Sequence, residues 1–203
     1  MGKRDDTRQR MLTSALSLLR ERGPNAVTLD SVLAHSGAPR GSIYHHFPGG
    51  RDQLVIEAAA LGADAVAGIV EDNNQSPFAA LDGLVDFWKK MLQDSDFRAG
   101  CPIVALAVDG PDRIPDAAQL SQSSFQRMAT TLIRLLREAG ASQAQARPMA
   151  NVAIAALEGA VILCRVERST RPLDDVADML RSQLAMLSIP DSAVRPYDVA
   201  DVD

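Results

Sequence analysis

The sequence predicts an all-α protein, and three observations carry that prediction. Apolar residues recur at three- and four-residue spacing through most of the chain. Glycine and proline punctuate those stretches at Gly23-Pro24, Gly37, Gly49-Gly50, Pro77, Gly100 and Gly140. No run of alternating β-branched residues marks a strand, and aromatics make up 4% of a 203-residue chain that is 46% hydrophobic. Small and aliphatic side chains in that proportion favour close-packed helices over a β-sandwich, in one domain or two.

The first helix covers Asp6 to Arg22, with Met11, Leu12, Ala15, Leu16, Leu18 and Leu19 on one side and Gly23-Pro24 as its stop. Thr28 caps the second, its hydroxyl accepting a backbone N–H, and Val27, Leu29, Val32 and Leu33 follow at helical spacing. Gly37 supplies the left-handed conformation of a tight turn. Pro39 takes a first-turn position, where its missing N–H costs nothing, in a short polar helix from Arg40 to Phe47. Arg51 to Glu71 reads as one longer helix with Leu54, Ala58, Leu61, Ala65 and Ile69 near one face, and Pro77 to Gln93 as the next. A short apolar segment, Cys101 to Val108, lies between Gly100 and the turn cluster Asp109-Gly110-Pro111-Asp112. Three helices close the pattern: Asp116 to Ala139, Ala144 to Arg168 and Pro172 to Leu187. Beyond Ile189-Pro190 the tail is acidic, poor in large apolar residues and expected to be mobile.

Composition narrows the function classes. The N-terminus lacks the apolar segment of a signal peptide, which places the protein in the cytoplasm. The longest apolar run, Val152 to Cys164, is interrupted by Glu158 and reads as too short to span a membrane. Cys101 and Cys164 stand far apart in apolar surroundings and read as reduced, buried thiols. The three histidines, His35, His45 and His46, form no zinc-ligand spacing with them, so no metal and no cofactor is expected. Charge is asymmetric: residues 1–53 hold eight Lys and Arg against five Asp and Glu, whereas residues 54–203 hold thirteen against twenty-one. A basic head on an acidic body suits a protein that brings one face to a polyanion.

The stretch TLDSVLAHSGAPRGSIYHHFPGGRDQL, Thr28 to Leu54, concentrates Arg40, Ser42, Tyr44, His45 and His46 in two turns after a glycine-turned helix pair. Those side chains contact phosphates and base edges. GAPRGSIYHHF resembles the recognition helix of TetR-family transcriptional regulators, and the following FPGGRDQL resembles the LmrA/QdoR-like (YxaF-like) branch of that family. The motif match covers about residues 8 to 57. It implies an N-terminal three-helix helix-turn-helix DNA-binding domain over 1–50, a larger helical ligand-binding and dimerisation domain over 51–190, and a tail at 191–203. Members of the branch respond to flavonoids or drug-like aromatics.

Within the head, Arg40 occupies the end that enters the major groove, where a bidentate contact to guanine suits it. Gly41 costs roughly 1 kcal/mol against alanine inside a helix, and close approach to DNA explains it. Thr28, Ser42, Tyr44 and His45 are the remaining contacts to DNA. Ile43 and Phe47 anchor the element. Arg51, with the N–H groups of the next helix, reads as a phosphate clamp.

In the body, Phe87, Trp88, Met91, Phe125, Met128 and Cys164 are candidate effector contacts, as rigid aromatics and adaptable sulfur groups suit apolar pockets. Any one such residue is more often plain core than a ligand contact. Glu158 sits in VAIAALEGAVILC as either an interface partner or a recogniser of an effector hydroxyl or cation. Ala153, Ala155, Ala156, Gly159 and Ala160 let another helix approach, which fits the four-helix homodimer interface the family implies. The expected function is a repressor released from a palindromic operator DNA by a small apolar or aromatic effector. An enzyme would need a nucleophile, metal set or cofactor loop, and none stands at persuasive spacing. A protein-interaction module or ligand-binding protein without sequence-specific DNA binding is the remaining alternative.

Overall fold

The computed structural model describes residues 3–187. Among them the chain forms nine α-helices and no strand: α1 (Lys3–Arg22), α2 (Leu29–Ser36), α3 (Ile43–His46), α4 (Gly50–Asp72), α5 (Pro77–Asp94), α6 (Pro102–Asp109), α7 (Ala117–Glu138), α8 (Gln143–Glu167) and α9 (Arg171–Leu187). The expected tail, 191–203, lies outside the described residues.

Helix ends follow the chemistry of a few residues. Gly23 closes α1 at φ 77°, its N–H bonded to the Leu19 carbonyl at 3.0 Å. At the start of α2 the Thr28 hydroxyl accepts from the Ser31 N–H at 3.0 Å while Ser31 Oγ accepts from the Thr28 N–H at 2.9 Å. This reciprocal cap satisfies two donors that the helix leaves unpaired. Ser142 and Gln145 repeat it at α8. Gly37 is left-handed at φ 65°, as the turn requires.

Two expectations need correction, and one segment left unassigned takes a definite form. The helix expected from Arg40 to Phe47 is a 3₁₀ turn over Arg40–Ser42 followed by four α-helical residues. Both the backbone N–H and the hydroxyl of Ser42 donate to the Pro39 carbonyl, at 3.0 and 2.6 Å, closing a turn one residue tighter than an α-helix. Pro39 accordingly stands at the cap, with ψ 135°, and not in the first turn. Cys101 to Val108 is helical from Pro102, because a proline at the first position starts a helix too short for its periodicity to be read. The buried face of α4 carries Leu54, Val55, Ala58, Ala59, Gly62, Val66 and Val70, while Ala65 points to solvent.

Helix α1 packs on α2, α4 and α6, and α4 packs in turn on α5, α6 and α7. Gly62 marks the tightest point: a Cβ there would lie 2.6 Å from Pro102 Cγ and 2.9 Å from a Leu16 methyl. Buried side chains run from the head (Met11, Leu19, Val32, Ile43, Phe47, Leu54) into the body (Leu84, Trp88, Leu106, Leu135, Leu173) as one connected core. Length and composition alone would let α4 and α8 cross a membrane, so the apolar run of α8 is not too short for that. Burial distinguishes the two: α8 covers 28% of its most apolar stretch, and Val152, Ile162, Leu163 and Val166 stand exposed on it.

Candidate nucleic-acid interface and body cavities

Within the head, α3 is held from behind. Ile43 and Phe47 are fully buried, each worth roughly 1.5–3 kcal/mol of transfer free energy. The Arg8 guanidinium lies 5.1 Å over the Phe47 ring and pairs with Glu57 of α4. The outward face then carries Arg40, Gly41, Tyr44 and His45. Tyr44 is 65% exposed. Arg40 is also exposed, and its guanidinium lies 3.4 Å from Asp30 of α2, a surface pair that a guanine or phosphate can replace. A Cβ on Gly41 would meet nothing within 4 Å, so no crowding inside the chain accounts for this glycine. His45 and His46 meet edge to face, ring centroids 5.3 Å apart. The Thr28 hydroxyl is engaged in its cap and Ser42 in its turn, but both oxygens keep lone pairs and Thr28 is exposed.

Arg51, expected as a phosphate clamp, is engaged within the chain. Its guanidinium donates to the carbonyls of Val27 at 2.9 Å and Pro24 at 2.7 Å and reaches Asp52 at 3.1 Å. The side chain is therefore turned inward, bracing the start of α4 against the loop before α2. Carbonyl oxygens at the ends of a short 3₁₀ turn have lone pairs to spare, and a guanidinium donates to them strongly.

In the body the expected effector residues separate into two groups. Phe125 and Met128 of α7 meet Glu158 of α8 around a small void of about 20 Å³, with Gly62, Val66, Cys101 and Ile103 completing its wall. The same glutamate and Phe125 border an open cleft between α7 and α8 that also holds Arg147 and Asn151. Trp88 and Cys164, by contrast, are buried in the core, and Phe87 packs edge to face on the Trp88 ring with centroids 5.1 Å apart. Neither they nor Met91 borders these cavities. Burial pushes the Glu158 carboxyl up to about 7, against a hydrogen bond with the Cys101 thiol that acts the other way. Burial also raises both thiols, which stay protonated and unbridged. A further cavity of about 260 Å³, which sequence reasoning missed, is walled by Leu81, Leu84, Leu136, Met149, Leu157 and Leu184 of α5, α7, α8 and α9. Leucines of that kind read as core until the gap between four helices is seen.

Comparison with known proteins agrees with this geometry. Residues 11–58 match the model of bacterial regulatory proteins of the tetR family, and residues 77–179 match the C-terminal domain of LmrA/YxaF-like transcriptional regulators. An HTH-type transcriptional regulator of Mycobacterium tuberculosis is 40% identical over 182 residues, covering 87% of this chain and 93% of its own. LmrA of Bacillus subtilis, also an HTH-type transcriptional regulator, is 26% identical over 171 residues, covering 83% and 91%. A TetR regulator from Chloroflexus aurantiacus shares the fold with a TM-score of 0.78 at 23% identity, over 91% of this chain and 97% of its own. The chain belongs to the TetR family, in its LmrA/YxaF-like branch, and is a DNA-binding transcriptional regulator.

Proposed function

We propose that the chain is a cytoplasmic homodimeric repressor, without catalytic activity, released from a near-palindromic operator by a small apolar or aromatic effector. The observation that carries this reading is the contrast within the α3 element, where fully buried Ile43 and Phe47 fix a face on which Arg40, Gly41 and Tyr44 stand bare. A rigid base under exposed donors is what reading base edges requires. Head residues 1–50 supply that face and residues 51–190 govern its placement. Arg40 reads bases, while Thr28, Ser42, Tyr44 and His45 position the head on phosphate and sugar.

The exposed apolar side chains Val152, Ile162, Leu163 and Val166 of α8, with Met179 and Met186 of α9, form the face that a second copy covers. Two heads then address successive major grooves about 34–36 Å apart. The effector enters beside Phe125, Met128 and Glu158, at the junction of α4, α6, α7 and α8. Binding there favours an arrangement with the heads wrongly spaced, and operator affinity falls by the effector's preference for that state. Fluorescence anisotropy of the purified protein on inverted-repeat fragments from its own promoter tests the proposal. Tight binding that needs both half-sites, falls with salt and is reversed by an aromatic ligand is the expected result. Binding indifferent to half-site sequence and to salt overturns it.

A further inference from the structure

The end of α1 carries a partly buried cation for which neither DNA reading nor the Glu158 corner has a use. Arg20 is half-buried, its Nε is wholly buried without a hydrogen-bond partner, and burial lowers its pKa from the ordinary value. Among the described residues it makes no ion pair, whereas Arg8, Arg51, Arg127, Arg168 and Arg181 each meet a carboxylate. A buried guanidinium N–H without an acceptor is costly, and a fold that retains one has reason to pair it with something from outside.

Arg20 borders a cavity of about 410 Å³ between the last turn of α1, the start of α6 and the middle of α8. Its walls are tied together: the Gly100 N–H donates to the Arg20 carbonyl at 2.9 Å, and Arg165 Nη2 donates to the Glu21 carbonyl at 3.2 Å. Gly100 is what lets Arg165 lie there, because a Cβ would sit 2.9 Å from its Nη1. Arg22 adds a third guanidinium, and Val104, Val108 and Val161 supply an apolar wall. Of the acids present, Glu21 is engaged by Arg98 at 3.4 Å, Asp109 lies toward Gly23, and the Glu158 carboxyl is held up toward its neutral form, a donor to an anion.

We propose that this cavity binds a small organic carboxylate, its head on Arg20 beside Arg165 and its short hydrocarbon tail against Val104, Val108 and Val161. The site goes beyond the effector corner proposed above, because it joins the last turn of the head's first helix to α6 and α8. A ligand seated there favours the head held against the body in this arrangement, by mass action. The guanidinium fork matches a carboxylate in geometry as well as charge.

The test is read on the full-length protein without DNA, so that its failure is separate from any failure of operator binding. Hexanoate, 1-hexanol, hexylamine and inorganic phosphate are titrated in turn, followed by thermal shift and ligand-observed NMR. Hexanoate alone should bind saturably and raise the melting temperature. Arg20→Met should weaken hexanoate roughly 10- to 100-fold, the loss of a charge-assisted pair. Arg20→Lys should recover part of that loss. Without ligand, Arg20→Met should have a higher urea midpoint than the wild type, since it removes an unpaired buried charge. The assignment is overturned if hexylamine or hexanol binds as well as hexanoate, or if phosphate does so without needing a tail. It is equally overturned if no saturable hexanoate binding appears in the millimolar range, if Arg20→Met leaves binding unchanged, or if Arg20→Met lowers the urea midpoint.

Discussion

Replacing Arg51 with methionine separates a brace from a phosphate contact, because the two roles leave different signatures. The substitution keeps the aliphatic stem and removes the bonds to the Val27 and Pro24 carbonyls, at 2.9 and 2.7 Å. Hydrogen bonds to a charged donor contribute about 1.5–3 kcal/mol each when well shielded. With the side chain 30% exposed, water screens part of that and can rehydrate the carbonyls. A combined loss of roughly 2 kcal/mol follows for the pair, or about 4–8 °C in melting temperature for a chain of this size. Urea and thermal unfolding at fixed protein concentration, run alongside operator titrations at several salt concentrations, make the assay. A brace predicts the fall in stability with the slope of log K against log salt unchanged. A phosphate contact predicts unchanged stability and a slope reduced by about 0.9 per protomer, or about 1.8 for the dimer. The second outcome would refute the role assigned here.

Arg40→Ala should relax base preference at one position of each half-site, costing about 1–3 kcal/mol against the cognate sequence and little against random DNA, as measured by competition binding. Asp30→Asn should tighten binding modestly at low salt by releasing Arg40 from its 3.4 Å partner. Ile162→Asp places a charge on the exposed apolar face of α8 and should shift the protein to monomer by light scattering, with a matching loss of operator affinity. Glu158→Gln should flatten the stability profile between pH 4.5 and 7. The folded-state pKa is raised from 4.5 to about 7, so the native state holds a proton that the unfolded chain has released, and wild-type stability falls as pH rises through that window. Above it the variant should be more stable by roughly 2–3 kcal/mol, read from urea midpoints. Gly62→Val should cost about 1–3 kcal/mol through overpacking, because even a Cβ would lie 2.6 Å from Pro102.

Helix order was legible because its signals are local. Gly23, Thr28 and Gly37 act within four residues of themselves, and the apolar faces of α1 and α2 follow from spacing alone. The inward turn of Arg51 was not legible, because its acceptors lie 24 and 27 residues away and belong to the backbone, which every residue possesses. Trp88 and Phe125 pose the same problem in another form. Both are large aromatics on amphipathic helices, yet one is 2% exposed in the core and the other borders a void, and the difference is set by the neighbouring helices. The length of α3 depended on a hydroxyl: Ser42 spends its donor on Pro39 and tightens the turn, which helix propensity alone does not reveal.

Head and body share two helices, and this decides how a ligand can act at a distance. α1 buries Met11, Leu16 and Leu19 against both halves, while α4 runs from Gly50, just after α3, to Asp72 in the body. At Gly62 the backbone of α4 touches Pro102 of α6 and Leu16 of α1 with no side chain to cushion the contact. An interface so closely packed transmits displacement instead of absorbing it. A ligand that shifts the start of α6, beside Phe125 and Glu158, must therefore move α4, release the contact or distort α6 itself. Moving α4 carries the Arg51 brace with it, and through Pro24 and Val27 the loop that positions α2. Loss of operator affinity on effector binding then needs no disordered hinge, only a tilt of α4 passed on through one glycine and one arginine.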